Sequence, residues 1–206
     1  HRELFEAWGM PETPRDELLA FFEATDGHQG DPVDVETFTD GETFEFGDRT
    51  MTVLHAPGHT AGLSALVLDD GREVLTGDAL LPRYTPNVGG ADVRVEDPLG
   101  KYLDTLAAVA DRGFERAYPG HRDPIDDPTA RAEEIIEHHR ERSRRVLGVL
   151  DEHGPADPWT VSAHLFGDLA GIHIMHGPGE AYAHLDHMAR HGVVERTAEG
   201  YRALED

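Results

Sequence analysis

The spacing of apolar residues predicts three helices in the first three quarters of the chain. The first is expected over Thr13–Gly27, where a Thr-Pro pair supplies the cap and the first helical residue. Asp97-Pro98 starts a second helix, which should end at Gly113. Asp127-Pro128 starts a long third helix that continues to about Leu150, before a Gly-Pro pair. Each helix has one apolar face, as expected for helices that pack against other elements.

Between the first two helices the apolar positions alternate or run together, which indicates short strands. Polar turns such as Asp40-Gly41 separate the apolar stretches. The predicted strands are Val33–Thr39, Phe44–Phe46, Met51–His55, Leu63–Leu68, Glu73–Thr76 and, after the second helix, Arg116–Tyr118. This pattern predicts a β-meander in which several strands end in polar loops.

The last fifty residues are predicted to form two helices and a hairpin. The helices are expected over Trp159–Phe166 and Glu180–Arg190, and the hairpin over Val193–Leu204 around Glu199-Gly200. With the preceding long helix, this is the outline of a winged helix. Charge also shifts along the chain, since residues 1–127 hold 27 acidic and 10 basic residues, against 14 and 8 in residues 128–206. We therefore predict two domains, 1–127 and 128–206.

The net charge of the chain indicates its environment and disfavours one class of partner. The 206-residue chain has 41 acidic and 18 basic residues, a net charge of −23, and Lys101 is its one lysine. Dense carboxylates stay hydrated where salt competes for water, and salt screens their repulsion, so we interpret the chain as halophilic. The same charge disfavours electrostatic binding of nucleic acid. The chain has no cysteine and no apolar run of membrane-spanning length, so we expect a cytoplasmic protein with no thiolate metal site and no membrane partner.

Three loops that follow predicted strands carry side chains suited to a metal ion. The loops are His55–Thr60, Thr76–Leu80 and Tyr118–His121. Glycine in each loop, with proline in the first and third, favours a sharp, fixed geometry, and the glycines remove bulk beside His59, Asp78 and His121. Two imidazoles and one carboxylate are suitable ligands for Zn²⁺ or another borderline divalent ion. The sequence therefore predicts a metal site at the ends of these strands.

The order of these loops resembles the later metal motifs of the metallo-β-lactamase superfamily. The matching runs are Pro57-Gly58-His59-Thr60, Thr76-Gly77-Asp78 and Pro119-Gly120-His121. Ala183-His184-Leu185 and Gly192-Val193-Val194 resemble the branch with a C-terminal winged helix, which includes β-lactamase-like protein 2. The resemblance implies an α/β fold, with the C-terminal portion of an αβ/βα sandwich followed by a small winged-helix domain.

The resemblance also implies roles for these side chains. His59 would bind one Zn²⁺, His121 a second, and the catalytic carboxylate of Asp78 would bridge both, so that the ions activate a water molecule. Ring nitrogens that do not bind metal would need partners such as carboxylates or backbone carbonyls. The family's first motif, H-x-H-x-D-H, is absent from the sequence. We therefore expect the chain to be the C-terminal part of a longer protein, or a truncated relative, with little activity alone.

The segment after the bridging carboxylate, Leu81–Gly89, is rich in proline and glycine and predicts a loop at the mouth of the site. Arg83 and Tyr84 are its side chains best able to contact an anionic substrate. A purely supporting role for this loop is the alternative.

Three functions remain open at this point. The first is a metal-dependent hydrolase of a small ester, thioester or lactone, with single-strand RNA cleavage by the same site as an alternative. The second is a non-catalytic winged-helix binding module, which is disfavoured because Gly179–Arg190 holds Arg190 as its one permanent cation. We expect that domain to act in dimerisation, giving a homodimer, or as a lid. The third is a pseudo-enzyme, and the retained His59, Asp78 and His121 argue against it.

Overall fold

The computed structural model describes residues 1–26, 30, 33–69 and 71–204. The helices are α1 (Arg2–Ala7), α2 (Glu12–Asp26), α3 (Pro98–Arg112), α4 (Pro128–His153), α5 (Pro158–Phe166) and α6 (His173–Arg190). The strands are β1 (Thr43–Phe46), β2 (Arg49–His55), β3 (Ser64–Leu68), β4 (Glu73–Gly77), β5 (Arg116–Pro119), β6 (Val194–Thr197) and β7 (Gly200–Ala203). Among the described residues, no helix is both long and apolar enough to cross a membrane.

Contacts divide the chain into two compact units. One unit combines His1–Glu36 with Arg142–Asp206, and the other is Thr37–Glu141. This grouping differs from the predicted division at residue 127, because the first 36 residues pack with the C-terminal part of the chain. Apolar side chains of α1, α2 and the turn between them share a buried cluster with side chains of α6: Phe5, Trp8, Met10, Leu18, Ile174 and Met175. Charge counts carry no information about such long-range packing.

The unit 37–141 is built on a five-stranded sheet in the order β1-β2-β3-β4-β5. The first three pairings are antiparallel, which confirms the predicted meander. The fourth pairing, between β4 and β5, is parallel, and α3 lies in the connection between these strands. Because β2, β4 and β5 all run in one direction, their carboxyl ends lie at the same edge of the sheet.

Helix α3 forms where the sequence predicts it, because its end signals are local. The side chain of Asp97 caps the helix by accepting a hydrogen bond from the Gly100 amide at 3.1 Å. Gly113 ends the helix in a left-handed conformation, with φ of +61°. The apolar face between these caps is fully buried at Tyr102, Leu106 and Val109.

One predicted strand is absent from the structure, and one predicted helix is longer than expected at its start. Residues 33–39 form no strand, and Val33 and Val35 are about three-quarters exposed, at 76% and 75%. An alternating pattern gives a strand only where a neighbouring strand and a core cover one face. Helix α6 begins at His173 instead of Glu180 and contains Pro178. The predicted end of the first helix, Gly27, lies outside the described residues.

Helix α6 continues through Gly177-Pro178-Gly179 because this turn is held by packing. All three residues are buried, and a side chain at Gly177 would collide with Leu169 and Ser162. Close contact with α5 therefore keeps a segment helical that its composition marks as a break. The predicted order of helix, helix and hairpin is confirmed by α5, α6 and the antiparallel pair β6–β7. Its assignment to the winged-helix fold stays a prediction.

Candidate active site

The three loops predicted to bind metal come together at the edge where β2, β4 and β5 end. His59 follows β2, Asp78 follows β4 and His121 follows β5. The Nε2 atom of His59 lies 3.7 Å from Oδ2 of Asp78, and Nε2 of His121 lies 3.6 Å from the same oxygen. The amide of Gly120 donates to the carbonyl of Gly77 at 2.8 Å, which ties the last two loops together. Two imidazoles therefore face one carboxylate oxygen.

These separations suit a shared metal shell better than direct hydrogen bonds. A hydrogen bond would bring nitrogen and oxygen to about 2.7–3.2 Å, whereas 3.6 and 3.7 Å exceed that range. Zn–N and Zn–O bonds of about 2.0–2.1 Å place neighbouring tetrahedral ligands roughly 3.3 Å apart. The donor set of two imidazoles and a carboxylate therefore fits a divalent ion, and its role as a ligand set stays a prediction here.

A backbone carbonyl sets the tautomer of His59. Nδ1 of His59 lies 2.8 Å from the carbonyl oxygen of Asn87. Because a carbonyl oxygen only accepts, Nδ1 carries a hydrogen, and in the neutral ring the lone pair is then on Nε2, on the side of Asp78. A backbone carbonyl was among the partners expected for the ring, but no sequence pattern pointed to Asn87. The contact between residues 28 positions apart exists only through the fold.

Glycine is required beside two of the three side chains. A Cβ atom at Gly120 would lie 2.7 Å from Oδ1 of Asp78 and would displace that carboxylate. Gly58 has φ of +138° and packs against helix α3, where a Cβ atom would lie 2.7 Å from Cα of Tyr102. The sequence-based expectation that glycine removes bulk beside His59 and Asp78 agrees with these contacts.

Helix α3 fixes two of the site loops through polar side chains on its buried face. The hydroxyl of Tyr102 donates to the carbonyl of Ala79 at 3.0 Å, directly after Asp78. The hydroxyl of Thr105 donates to the carbonyl of Pro57 at 2.8 Å, two residues before His59. Burial raises the pKa of the Tyr102 hydroxyl far above its usual value, so it remains a proton donor. The sequence predicted only an apolar face for this helix and pointed to neither hydroxyl.

Comparison with known proteins agrees with this geometry. Residues 1–121 match the family described as the metallo-beta-lactamase superfamily. The chain belongs to this superfamily. A metallo-beta-lactamase family protein from Thermus thermophilus is similar in structure, with 32% identity and a TM-score of 0.74 over 97% of this chain and 67% of that protein.

Two curated relatives are similar in sequence to this superfamily member over part of their length. The beta-lactamase-like protein 2 homolog of Caenorhabditis elegans is 28% identical over 156 residues, which are 76% of this chain and 50% of that protein. The atrochrysone carboxyl ACP thioesterase of Aspergillus chevalieri is 32% identical over 113 residues, which are 55% of this chain and 34% of that protein. The chain thus spans half of the first relative and about a third of the second.

The buried carboxylate of Asp92 stabilises the loop of this superfamily member that follows His59. Asp92 accepts a hydrogen bond from the Ala61 amide at 2.9 Å. It also accepts from Nε and Nη2 of Arg94 at 2.8 and 2.9 Å. The hydrogen bonds from Arg94 hold the pKa of Asp92 well below its usual range. No pattern in the sequence singled out Asp92, because its partner Ala61 lies 31 positions away.

Substituting Asp92→Asn should destabilise the fold in a pH-dependent way. Asparagine still accepts from Ala61 but loses the charged bonds to Arg94, so we expect about 1–3 kcal/mol less unfolding free energy at pH 7. Because the pKa of Asp92 is lowered by folding, its contribution is full above about pH 4 and declines as the pH falls further. Urea unfolding at pH 7 and at pH 3 measures both effects.

The exposed residue Asp104 on α3 supplies the matched control, as Asp104→Asn. That substitution should change the unfolding free energy by less than about 0.5 kcal/mol at either pH. An Asp92→Asn penalty that is the same at pH 7 and pH 3 would contradict the assignment of a charged Asp92–Arg94 pair.

The segment 81–90 lies against the loop that carries His121. Nη2 of Arg83 is 3.7 Å from Oδ2 of Asp123, and Nε of Arg122 donates to the hydroxyl of Tyr84 at 3.3 Å. These contacts place Arg83 and Tyr84 next to the His121 loop, and both side chains are exposed. Arg122 was not among the predicted site residues.

Proposed function

We propose that this protein is a metal-dependent hydrolase of a thioester or a similarly activated ester. The observation that carries the proposal is the approach of two imidazole nitrogens, from His59 and His121, to one oxygen of Asp78. The similarity of the chain to a protein named as a thioesterase supports an acyl substrate. Superfamily membership supports the reaction class, hydrolysis.

In this proposal the three side chains hold zinc. Imidazole and carboxylate donors suit Zn²⁺, and a carboxylate approached from two sides suits a bridging position between two ions. When bound, the ions would supply a water molecule of lowered pKa and would polarise the substrate carbonyl. Two four-coordinate ions need more than three protein ligands, so we propose that further residues complete the centre in the full-length protein.

The remaining residues of the site orient these ligands. The carbonyl of Asn87 keeps the hydrogen of His59 on Nδ1, so that Nε2 is available as a ligand. Tyr102 and Thr105 hold the loops on either side of the ligands to one helix, which limits the movement of His59 relative to Asp78. Arg83 and Tyr84 then form part of the wall that a substrate would contact.

Nucleic-acid cleavage is less well supported by the C-terminal elements. Arg190, the permanent cation near the end of α6, is paired with Asp186 at 2.8 Å. Glu180 of the same helix pairs with Arg142 of α4. A helix whose permanent cation is neutralised in this way is expected to bind nucleic-acid phosphates weakly. We propose that α5, α6 and the β6–β7 hairpin form a winged helix with a role in dimerisation.

The proposal is tested on the full-length protein, purified without added metal. We expect about two zinc ions per chain by mass spectrometry, and thioester hydrolysis that a chelator abolishes and Zn²⁺ restores. Thiol release can be followed with a thiol-reactive dye, with the protein in the absence of substrate as the blank. A single-stranded RNA is assayed in parallel. Cleavage of the RNA without hydrolysis of any thioester would overturn the proposal.

A further inference from the structure

The backbone of Arg122, the residue after His121, adopts a conformation that long side chains rarely take. Its φ is +75°, in the left-handed region. Among the described residues, the other non-glycine residues with positive φ are Asp69 and Asp97. Aspartate tolerates this region because its short carboxylate bonds to nearby backbone, as Asp97 does to the Gly100 amide. Arginine has no such compensation, and glycine would fit here without strain.

The loop around Arg122 is held firmly, so the conformation is imposed by the fold. Ala117 and Ile125 exchange two backbone hydrogen bonds of 2.8 and 2.9 Å, which close the loop at its base. His121 and Arg122 lie between these closing residues. A strained residue that persists in a fixed loop beside a candidate active site points to a function of its side chain.

The side chain of Arg122 is directed to the wall of the site. Its Nε donates to the hydroxyl of Tyr84, and its guanidinium carbon lies 5.9 Å from the centre of the Tyr84 ring. The residue is exposed, so a guanidinium oriented by Tyr84 is open to a ligand from solvent. Oriented guanidinium groups bind carboxylates and phosphates through paired N–H···O bonds.

The two segments that contain Arg122 and its partner Tyr84 carry a net charge opposite in sign to that of the whole chain. The segments 81–90 and 119–124 together contain two arginines, Arg83 and Arg122, and one acidic residue, Asp123. Arg83 lies 3.7 Å from Asp123, and the same carboxylate also acts electrostatically on Arg122, so the two segments together keep one positive charge in excess. In a chain of net charge −23, this local excess favours an anionic ligand at short range.

We propose that Arg122 is a specificity-determining residue that binds an anionic group of the substrate beside His121. The inference rests on the proposed function. It restricts the proposed substrate class to thioesters that carry a carboxylate or a phosphate. Tyr84 orients the guanidinium, and the strained backbone of Arg122 is retained because glycine would remove this group.

The test compares the wild-type full-length protein with Arg122→Gly on three thioesters. Acetyl-coenzyme A carries phosphates on the leaving thiol, succinyl-N-acetylcysteamine carries a carboxylate on the acyl group, and acetyl-N-acetylcysteamine is uncharged. We expect the KM of at least one anionic substrate to rise about tenfold or more, with kcat and the uncharged substrate unchanged. The substrate that responds identifies the anion as phosphate or carboxylate. The melting temperature should stay the same or rise, because glycine relieves the strain.

Two further variants separate binding from loop support. Arg112→Gln removes one positive charge at the end of α3 and should leave all three KM values unchanged. Tyr84→Phe keeps the ring but loses the hydrogen bond to Arg122, and should raise the same KM by a smaller factor. Equal changes for all three substrates in Arg122→Gly, or no change in any of them, would overturn the inference.

A binding measurement tests the anion site of Arg122 without any catalytic reaction. Coenzyme A and succinate should raise the melting temperature of the wild type, and the more effective of them should lose this effect in Arg122→Gly. Equal stabilisation of both proteins, or none in the wild type, would overturn the anion site. A wild type that binds the anion but hydrolyses no thioester would overturn the proposed function alone.

Discussion

Replacing Asp78 by alanine should remove both the metal and the activity of the full-length protein. Its Oδ2 atom is the point that both His59 and His121 approach, so the substitution removes the carboxylate donor that the two imidazoles share. We expect metal content to fall well below one ion per chain. The loss of water activation should lower kcat/KM by about a thousandfold, or roughly 4 kcal/mol at 1.36 kcal/mol per tenfold.

Asp104→Ala provides the control for Asp78→Ala, since Asp104 is an exposed aspartate on α3. It should retain the metal content and rate of the wild type. Thermal unfolding of both variants shows whether the fold survives the loss of each carboxylate. Full metal content together with a wild-type rate in Asp78→Ala would refute the assignment of this carboxylate as a ligand.

Replacing Gly58 by alanine should cause the largest loss of stability among these variants. A φ of +138° is almost exclusive to glycine, and holding alanine there costs of order 1–3 kcal/mol. The new Cβ would also overlap the backbone and side chain of Tyr102, which adds about 1–3 kcal/mol of overpacking. We therefore expect the unfolding free energy, measured by guanidinium unfolding, to fall by about 2–6 kcal/mol.

The same substitution should also impair the site, because Tyr102 connects two of its loops. A shift of Tyr102 away from Gly58 would move the hydroxyl that bonds to the carbonyl of Ala79, next to Asp78. Gly62→Ala is the matched control in the same loop, since nothing lies within 4 Å of a Cβ at Gly62. It should change stability by less than about 0.5 kcal/mol. Similar losses in both variants would show that the contact with Tyr102 is not the cause.

Several features follow from the sequence because their causes are local. The caps of α3, Asp97 and Gly113, act within a few residues of the helix they end, so the prediction of that helix is confirmed. Short turns and apolar stretches likewise predict β2, β3, β4 and β5 to within two residues. The loops with His59, Asp78 and His121 could be found because each follows such a strand and contains a glycine next to the functional residue, with a proline as well in the first and third loops.

Other features depend on contacts between residues that lie far apart in the chain. Residues 33–39 alternate like a strand but have no strand pairing, and the Gly-Pro-Gly turn of α6 stays helical against α5. No composition or spacing identifies Asn87, Tyr102, Thr105 and Asp92 as supports of the site, since each bonds to a residue more than 20 positions away. The strain at Arg122 is likewise visible only as a backbone angle. Local patterns therefore indicate which residues could carry the chemistry, whereas the packing of α3 and of the segment 81–90 holds those residues in place.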